Sequence, residues 1–163
     1  MSQTLSDFER ITTAKAALGP DLFLLGHHYQ GDAVIQHVHA TGDSLELARR
    51  IPGATAADIV FCGVFFMAES AALLAKPGQQ IYTPAPDARC VMSEMAPVQL
   101  AEAVYAQLSR SGRSIVPLTY VNSSAAVKAF CGRHGGSVCT SANARTMLEW
   151  ALGQGDAVLF LPD

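Results

Sequence analysis

The chain has 163 residues, of which 50% are hydrophobic and 15% charged, and its formal net charge is −3 at pH 7. This composition can bury a sizeable core and excludes an intrinsically disordered chain. Its only adjacent basic residues are Arg49 and Arg50, so it lacks the basic patch of a nucleic-acid-binding protein. No apolar run reaches the roughly 20 residues of a membrane helix, and the first ten residues carry no apolar signal region. We therefore expect a cytoplasmic protein that binds neither nucleic acid nor membranes.

The chain opens with a predicted helix and a predicted strand. Ser6 and Glu9 have the spacing of a capping box, and Gly19-Pro20 ends the helix. Apolar residues at approximately helical spacing give this helix one apolar face: Phe8, Ile11, Ala14 and Leu18. Residues 22–26 then form an apolar run typical of a buried parallel strand.

Further elements alternate through the rest of the first half. Residues 33–39 and 45–50 favour short helices, interrupted at residues 41–44 by the polar sequence TGDS. A second strand is predicted at residues 59–63, a helix at residues 67–75 and a short strand at residues 80–83. Residues 84–95 contain Pro84 and Pro86, which indicate an irregular connector.

The second half repeats this alternation. A helix begins near Pro97, a strand covers residues 114–119, and Ser123 or Ser124 caps a helix that runs to Phe130. After a glycine-rich loop, a very short strand at residues 137–139, a helix around residues 144–151 and a strand at residues 157–161 complete the pattern. This alternation predicts an α/β fold with short parallel sheets, in two modules of similar build at residues 1–88 and 89–163. Identity between the halves is too weak to show a repeat. Since the last strand has no helix after it, we expect the chain to be the N-terminal part of a longer protein.

Polar residues gather where the predicted strands end. Ligands bind beyond the carboxyl ends of strands in open α/β sheets, and helix N-termini favour anions. The sequence therefore predicts a site for a small, multiply anionic metabolite. Its candidate residues follow three of the strands: His27, His28 and Tyr29; Tyr120, Val121 and Asn122; Thr140, Ser141 and Asn143. As an alternative, the serines and threonine could serve only as helix caps.

The cysteines and remaining histidines are weaker candidates. Cys90 lies in the irregular connector and is a better ligand or nucleophile candidate than Cys62, inside an apolar strand. We interpret Cys62, Cys131 and Cys139 as small buried hydrophobic residues. One cysteine cannot hold an iron–sulfur cluster. Four histidines are interpreted as surface or structural residues: His28, His37, His39 and His134. A cysteine-nucleophile enzyme using Cys90 and His27 is another hypothesis, although nothing in the sequence places them together.

A series of motifs resembles the quinolinate synthase family in the same order, over about residues 22–163. The motifs are GHHYQ, GDSLELAR, FCGVFFMAES, CVMSEM, TYVNSSAAVKA, CTSANA and FLPD. The resemblance implies an enzyme that condenses iminoaspartate with dihydroxyacetone phosphate to quinolinate, releasing phosphate and water, in NAD biosynthesis. It implies three-layer αβα modules, repeated as three pseudo-symmetric domains around a [4Fe-4S] cluster. This chain would hold two of them, the second incomplete.

The resemblance also assigns site residues. His27 and Tyr29 match a catalytic pair that contacts substrate and assists proton transfers, and Ser44 matches a substrate-binding serine. Cys90 matches the first of three cluster ligands, one from each domain, while the open fourth iron acts as a Lewis acid. The remaining substrate-binding matches lie in the second half: Tyr120, Val121, Asn122 and Ser141.

Part of the family's site lies beyond Asp163. The other two cluster cysteines, an HPE-type motif and a substrate-binding threonine are all found there in the family. We therefore expect the chain alone neither to hold a stable cluster nor to make quinolinate. The loop at residues 131–136 is longer than in the shortest members and should not disturb Ser141. The resemblance also implies a homodimer and a functional link to L-aspartate oxidase, which supplies the imine. The main alternative is a non-catalytic metabolite-binding or interaction module derived from this fold.

Overall fold

The structure is a computed structural model that describes residues 5–161. It divides into two compact units: the first ends at Ala88 and the second begins at Arg89. Each unit contains a parallel sheet with helices on both faces, which confirms the predicted α/β class with αβα modules.

The first unit contains a four-stranded sheet in the order β2-β1-β3-β4. Its strands are β1 (Leu22–His27), β2 (Ala40–Gly42), β3 (Asp58–Cys62) and β4 (Gln80–Tyr82). Its helices are α1 (Asp7–Leu18), α2 (Asp32–Ile35), α3 (Ser44–Arg50) and α4 (Phe65–Leu74). Two short 3-10 turns, Gly19–Asp21 and Ile51–Gly53, follow α1 and α3.

Side chains alternate between the two faces of this sheet, and the faces differ in burial. Leu25, Ile59 and Phe61 share one face and are completely buried. Leu47 of α3 and Phe66 of α4 are buried too, and these two helices contact each other and the two central strands. The core of the first unit therefore lies between the sheet and the α3–α4 layer.

The first helix forms as predicted at its start and differs along its length. Ser6 accepts the Glu9 backbone N–H, and the Glu9 carboxylate accepts the Ser6 N–H at 2.8 Å, which confirms the capping box. No residue of α1 is buried, however, and Phe8, Ile11 and Leu18 of the apolar stripe are exposed. Phe8 contacts the His37 ring with centroids 4.9 Å apart, and α2, the next helix in the chain, is only one turn long.

Apart from shifts of one to three residues at the ends of several elements, three regions differ from the sequence prediction. The sequence predicts no strand at residues 40–42, because three residues show no strand pattern; pairing of Ala40 with Leu25 defines β2 there. The helix predicted at residues 33–39 stops at Ile35, since His39 turns back to β1, where its Nδ1 accepts the Leu24 N–H at 2.9 Å. The connector predicted at residues 84–95 contains a helical turn, α5 (Val91–Glu94).

The second unit contains a three-stranded sheet in the order β6-β5-β7. Its strands are β5 (Ile115–Tyr120), β6 (Ser137–Cys139) and β7 (Ala157–Leu161). Besides α5, its helices are α6 (Val98–Ser109), α7 (Ala125–Arg133) and α8 (Ala144–Leu152). Ala101 of α6 and Phe130 of α7 form a core cluster with Leu161 of β7, while α8 contacts β5 and β7.

Glycine at position 136 permits a close approach between strands. A Cβ atom there would lie 1.8 Å from the Pro117 carbonyl oxygen, a distance that real Cβ atoms essentially never show. The loop before β6 can therefore reach β5 only because this residue has no side chain. Among residues 5–161, no helix is both long enough and apolar enough to cross a membrane.

Candidate functional site

In the first unit, the predicted catalytic residues lie where β1 ends. His27 is the last residue of β1 and pairs with Gly42, the last residue of β2. The His28 N–H donates to the Gly42 carbonyl at 3.1 Å, and the Gln30 N–H donates to the His27 carbonyl at 2.9 Å. These bonds make a tight turn directly beyond the strand, which holds the backbone of residues 27–30 against β2.

Three aromatic rings form a cluster on this turn. His27 and His28 stack with centroids 4.4 Å apart, and Tyr29 lies edge-on to both rings, 4.9 Å from His27 and 4.4 Å from His28. His27 is only 8% exposed, whereas Tyr29 is 85% exposed. The buried imidazole is thus anchored in the sheet, and the phenol reaches into solvent beside it.

The environment of His27 favours its neutral form. Burial lowers the pKa of the imidazole below its ordinary value of 6.5, and the neighbouring His28 lowers it further, while Asp43 raises it. His27 Nδ1 accepts the Tyr29 backbone N–H at 3.4 Å, which leaves Nε2 to carry the proton of the neutral ring. A neutral His27 can therefore donate a hydrogen bond from Nε2 to a ligand oxygen.

The edge strand β2 brings Ser44 toward this turn. Ser44 begins α3, two residues beyond Gly42, and is 8% exposed. Asp43 caps the helix by accepting the Glu46 N–H at 2.8 Å. Asp43 is not among the residues predicted for the site, although its place in the TGDS turn is typical of an N-cap. The structure thus gathers His27, Tyr29 and Ser44 at one edge of the sheet.

An apolar cavity of about 540 Å³ lies on the opposite face of the same sheet. Leu24, Val60 and Val38 are among its lining residues, as are Cys62 and His37. His27, Tyr29 and Ser44 do not line it, although Gln30 of the same turn does.

In the second unit, the predicted residues lie at the ends of β5 and β6. Tyr120 is the last residue of β5 and pairs with Cys139, the last residue of β6. Val121 is buried and its N–H donates to the Cys139 carbonyl at 2.8 Å, while Asn122 is half-buried. Ser141 is exposed, two residues beyond Cys139. The structure thus places Tyr120 and Asn122 near Ser141 at one sheet edge.

The two groups have the same construction. In each unit the last residue of the central strand, His27 or Tyr120, pairs with the last residue of a short edge strand. The next backbone N–H then donates to that edge residue's carbonyl, and a serine follows two residues later. The strand orders β2-β1-β3 and β6-β5-β7 correspond as well. The halves are structural repeats, a relationship that their sequences do not show.

Ser124, not Ser123, caps α7. The Ser124 Oγ accepts the Val127 N–H at 3.3 Å, whereas the Ser123 Oγ is buried and has no hydrogen-bond partner among the described residues. The Thr140 N–H donates to the Asn143 side-chain oxygen at 2.7 Å, which shapes the turn that carries Ser141. These assignments separate the capping residues from the side chains that remain available to a ligand.

The four cysteines are free thiols with different surroundings. Cys131 and Cys139 are completely buried, as predicted, and burial raises the pKa of Cys131 to about 12. Cys62 is half-buried rather than enclosed, and burial raises its pKa too. Cys90 is also half-buried, and it forms the N-cap of α5, where its carbonyl accepts the Ser93 hydroxyl at 2.7 Å.

Cys90 is the single candidate cluster ligand among the described residues, and one thiolate is not enough to hold an iron–sulfur cluster. Iron–sulfur clusters require several thiolates, and residues 5–161 contain no group of three or more His, Cys, Asp or Glu side chains that could hold a metal ion. The described residues therefore do not fit a cluster by themselves.

Comparisons with known proteins decide the family. The family model described as quinolinate synthetase A protein matches residues 9–163. The chain belongs to the quinolinate synthetase A family. Among its relatives, a quinolinate synthase from a Nocardioides species is 54% identical over 164 residues, and one from Bacillus pumilus is 50% identical over 157 residues. A quinolinate synthase from Acidobacterium capsulatum is 48% identical over 158 residues.

These matches cover 95% of this chain and 42% of each of the three relatives. The chain thus corresponds to about two fifths of a quinolinate synthase, the N-terminal part. The family membership confirms the resemblance seen in the motifs and agrees with the expectation that the chain is part of a longer protein.

Proposed function

We propose that this chain is the substrate-binding N-terminal part of a quinolinate synthase, which condenses iminoaspartate with dihydroxyacetone phosphate to quinolinate. The observation that carries the proposal is the family match over residues 9–163. The polar strand ends of both units support it, because they present neutral donors and a phenol where α/β sheets bind ligands.

In the first unit, we assign the proton-transfer chemistry to His27 and Tyr29. A neutral His27 donates a hydrogen bond from Nε2 to an oxygen of the bound substrate, which stabilises charge that develops there and so assists proton transfer as the carbon–nitrogen skeleton condenses. The Tyr29 phenol, exposed beside it, supplies a second hydroxyl that can donate or accept. Ser44, two residues beyond the register partner of His27, binds an oxygen of the same substrate.

In the second unit, the carboxylates of iminoaspartate are assigned to Tyr120, Asn122 and Ser141. A phenol, an amide and a hydroxyl can each donate a hydrogen bond to a carboxylate oxygen. The Val121 N–H is already bonded to Cys139, so Val121 contributes backbone shape rather than a donor. Ser141 is exposed next to the turn formed by Thr140 and Asn143, which leaves its hydroxyl open to an anion.

We further propose that Cys90 is one ligand of a [4Fe-4S] cluster whose other ligands come from outside this chain. When bound, such a cluster supplies an open iron that acts as a Lewis acid toward a substrate oxygen. Cys90 suits this role better than Cys131 or Cys139, which are completely buried. Cys62 is equally half-buried, so it provides a matched comparison.

A chimera tests the proposal. The matching segment of the Nocardioides synthase is replaced by this chain, and quinolinate formation from iminoaspartate and dihydroxyacetone phosphate is measured together with iron content. We expect the chimera to bind iron and form quinolinate, and the 163-residue chain alone to do neither. A folded, iron-loaded chimera that makes no quinolinate would contradict the proposal.

Two pairs of substitutions in the chimera separate the roles. Cys90→Ser is expected to lower the iron content, whereas Cys62→Ser retains it. His27→Ala is expected to reduce quinolinate formation by at least about a hundredfold with iron retained, whereas His134→Ala, an exposed histidine in the other unit, leaves both unchanged. Iron loss in the Cys62 variant alone would overturn the ligand assignment.

The setting of the whole enzyme follows from the same proposal. We place it in the cytoplasm, as a homodimer that receives its unstable imine substrate from L-aspartate oxidase. Labelled aspartate supplied with that oxidase should appear in quinolinate made by the chimera, and size-exclusion chromatography with light scattering measures the dimer. The alternative, a non-catalytic module, predicts metabolite binding by the chimera without turnover.

A further inference from the structure

His28 lies between the two residues to which we assign proton transfer. Its ring stacks on His27 with the planes 27° apart, and it meets Tyr29 nearly at right angles, at 80°. Both contacts have a centroid distance of 4.4 Å, shorter than the 4.9 Å between His27 and Tyr29 themselves. The two closest ring contacts of the cluster therefore both involve His28.

Little besides these rings can orient Tyr29. Its side chain is 85% exposed, so packing against the rest of the first unit does not fix it. The backbone beneath it is held by the bonds from the His28 N–H to Gly42 and from the Gln30 N–H to His27. With the backbone fixed and the phenol exposed, the ring contacts set the direction of the Tyr29 side chain.

We propose that His28 is a positioning residue, whose ring fixes the Tyr29 phenol relative to the His27 imidazole. The inference rests on the proposed function for its catalytic consequence, and its geometry stands without it. Proton transfer requires donor and acceptor within hydrogen-bond reach of the same substrate atom, and a mobile exposed phenol meets that requirement only part of the time.

His28 also influences the pKa of His27. The titratable groups that interact with His27 are His28, Tyr29 and Asp43. Burial is the main cause of the lowered His27 pKa, and His28 is the second. The Asp43 carboxylate raises this pKa. His28 therefore contributes to keeping the His27 ring in the neutral form.

Nuclear magnetic resonance on the 163-residue chain tests the inference without enzyme activity. Two variants separate the packing of the His28 ring from its imidazole chemistry. His28→Phe keeps an aromatic ring, and His28→Ala removes it. We expect His28→Ala to move the Tyr29 ring resonances to those of a freely exposed tyrosine, while His28→Phe leaves them shifted by ring currents. Both variants should raise the His27 pKa, because both remove the imidazole that lowers it.

The control is His134→Ala, which removes an exposed histidine whose ring lies 4.2 Å from that of Tyr105, tilted by 40°, in the other unit. It should change neither the Tyr29 resonances nor the His27 pKa. The inference is overturned if Tyr29 in the His28→Ala variant keeps its wild-type resonances. It is also overturned if the Tyr29 resonances of the His28→Phe variant move as far toward those of a freely exposed tyrosine as those of the His28→Ala variant.

The chimera then adds the catalytic consequence. We expect His28→Ala to lower kcat about tenfold with little change in KM, and His28→Phe to recover most of that loss. If every chimera is inactive, the proposed function fails while the Tyr29 measurement still decides the positioning role. If the chimera is active and His28→Ala leaves kcat unchanged, the positioning role in catalysis is refuted.

Discussion

Replacing Gly136 with alanine tests how the second unit places its candidate site. The new Cβ would lie 1.8 Å from the Pro117 carbonyl oxygen and 2.8 Å from its carbon, whereas an ordinary contact is 3.4 Å or longer. Since the atoms in the way are backbone, no side-chain rotation relieves the clash, and β6 must move away from β5.

The expected cost follows from what that movement disrupts. The pairing of β5 with β6 covers three residue pairs, from Leu118 with Ser137 to Tyr120 with Cys139. Overpacking costs about 1–3 kcal/mol, and we expect the upper end, about 3 kcal/mol, because backbone is displaced. With a urea m-value of about 2 kcal/mol/M, the unfolding midpoint falls by roughly 1.5 M.

Urea unfolding followed by tryptophan fluorescence measures this change. Trp150 is the only tryptophan of the chain and lies in α8, so its emission reports on the second unit. Gly132→Ala is the matched control: it lies within α7 with nothing within 4 Å of the new Cβ, and alanine favours the helix by up to about 1 kcal/mol. The same chemical change should therefore have opposite signs at two positions four residues apart. A Gly136→Ala midpoint equal to or above that of the wild type would refute the close-approach argument.

Three further predictions concern caps, pH and thiols. Ser124→Ala should lower the free energy of unfolding by about 1 kcal/mol, because the Val127 N–H loses its cap. Ser123→Ala removes a buried hydroxyl that has no hydrogen-bond partner among the described residues, so the free energy of unfolding should stay equal or rise. An equal loss in both variants would refute the assignment of the cap. Burial lowers the pKa of His27 and His39 in the folded chain below the value of 6.5 expected in the unfolded chain. Their contribution to stability is therefore fully present above pH 6.5 and is lost as the pH falls below it. Unfolding midpoints should decrease from about pH 7.5 to about pH 5, and a flat profile would contradict this. A thiol reagent should label Cys62 and Cys90 in the folded chain and spare the other two cysteines, as read by mass spectrometry of tryptic peptides; labelling of Cys131 before unfolding would be inconsistent with its complete burial.

Strong local patterns made much of the fold predictable. β1 and β3 contain apolar runs, which are typical of parallel strands, although buried and half-buried residues alternate along β3. The capping box of Ser6 and Glu9 involves atoms three residues apart, so its formation needs no distant partner. The candidate residues His27 and Tyr120 were found for the same reason, because a polar group directly after a buried run marks the end of a strand.

Other features depended on partners far away in the sequence. The apolar stripe of α1 predicted a buried face, but no residue of this helix is buried, because burial depends on which distant segments pack against it. The ring contacts of His28 could not be predicted either, because a histidine in a polar motif is interpreted as a surface residue until its ring distances are known.

The alternation of strands and helices, the family and the residues that follow each central strand can all be predicted from the order of the residues. The positions of the serines depend on how distant segments pair. β2 and β6 have three residues each, too few to show a pattern, and they are held as strands by hydrogen bonds to β1 and β5. That pairing sets the register that brings Ser44 to the end of β1 and Ser141 to the end of β5, and register is a relation between segments that no single segment encodes.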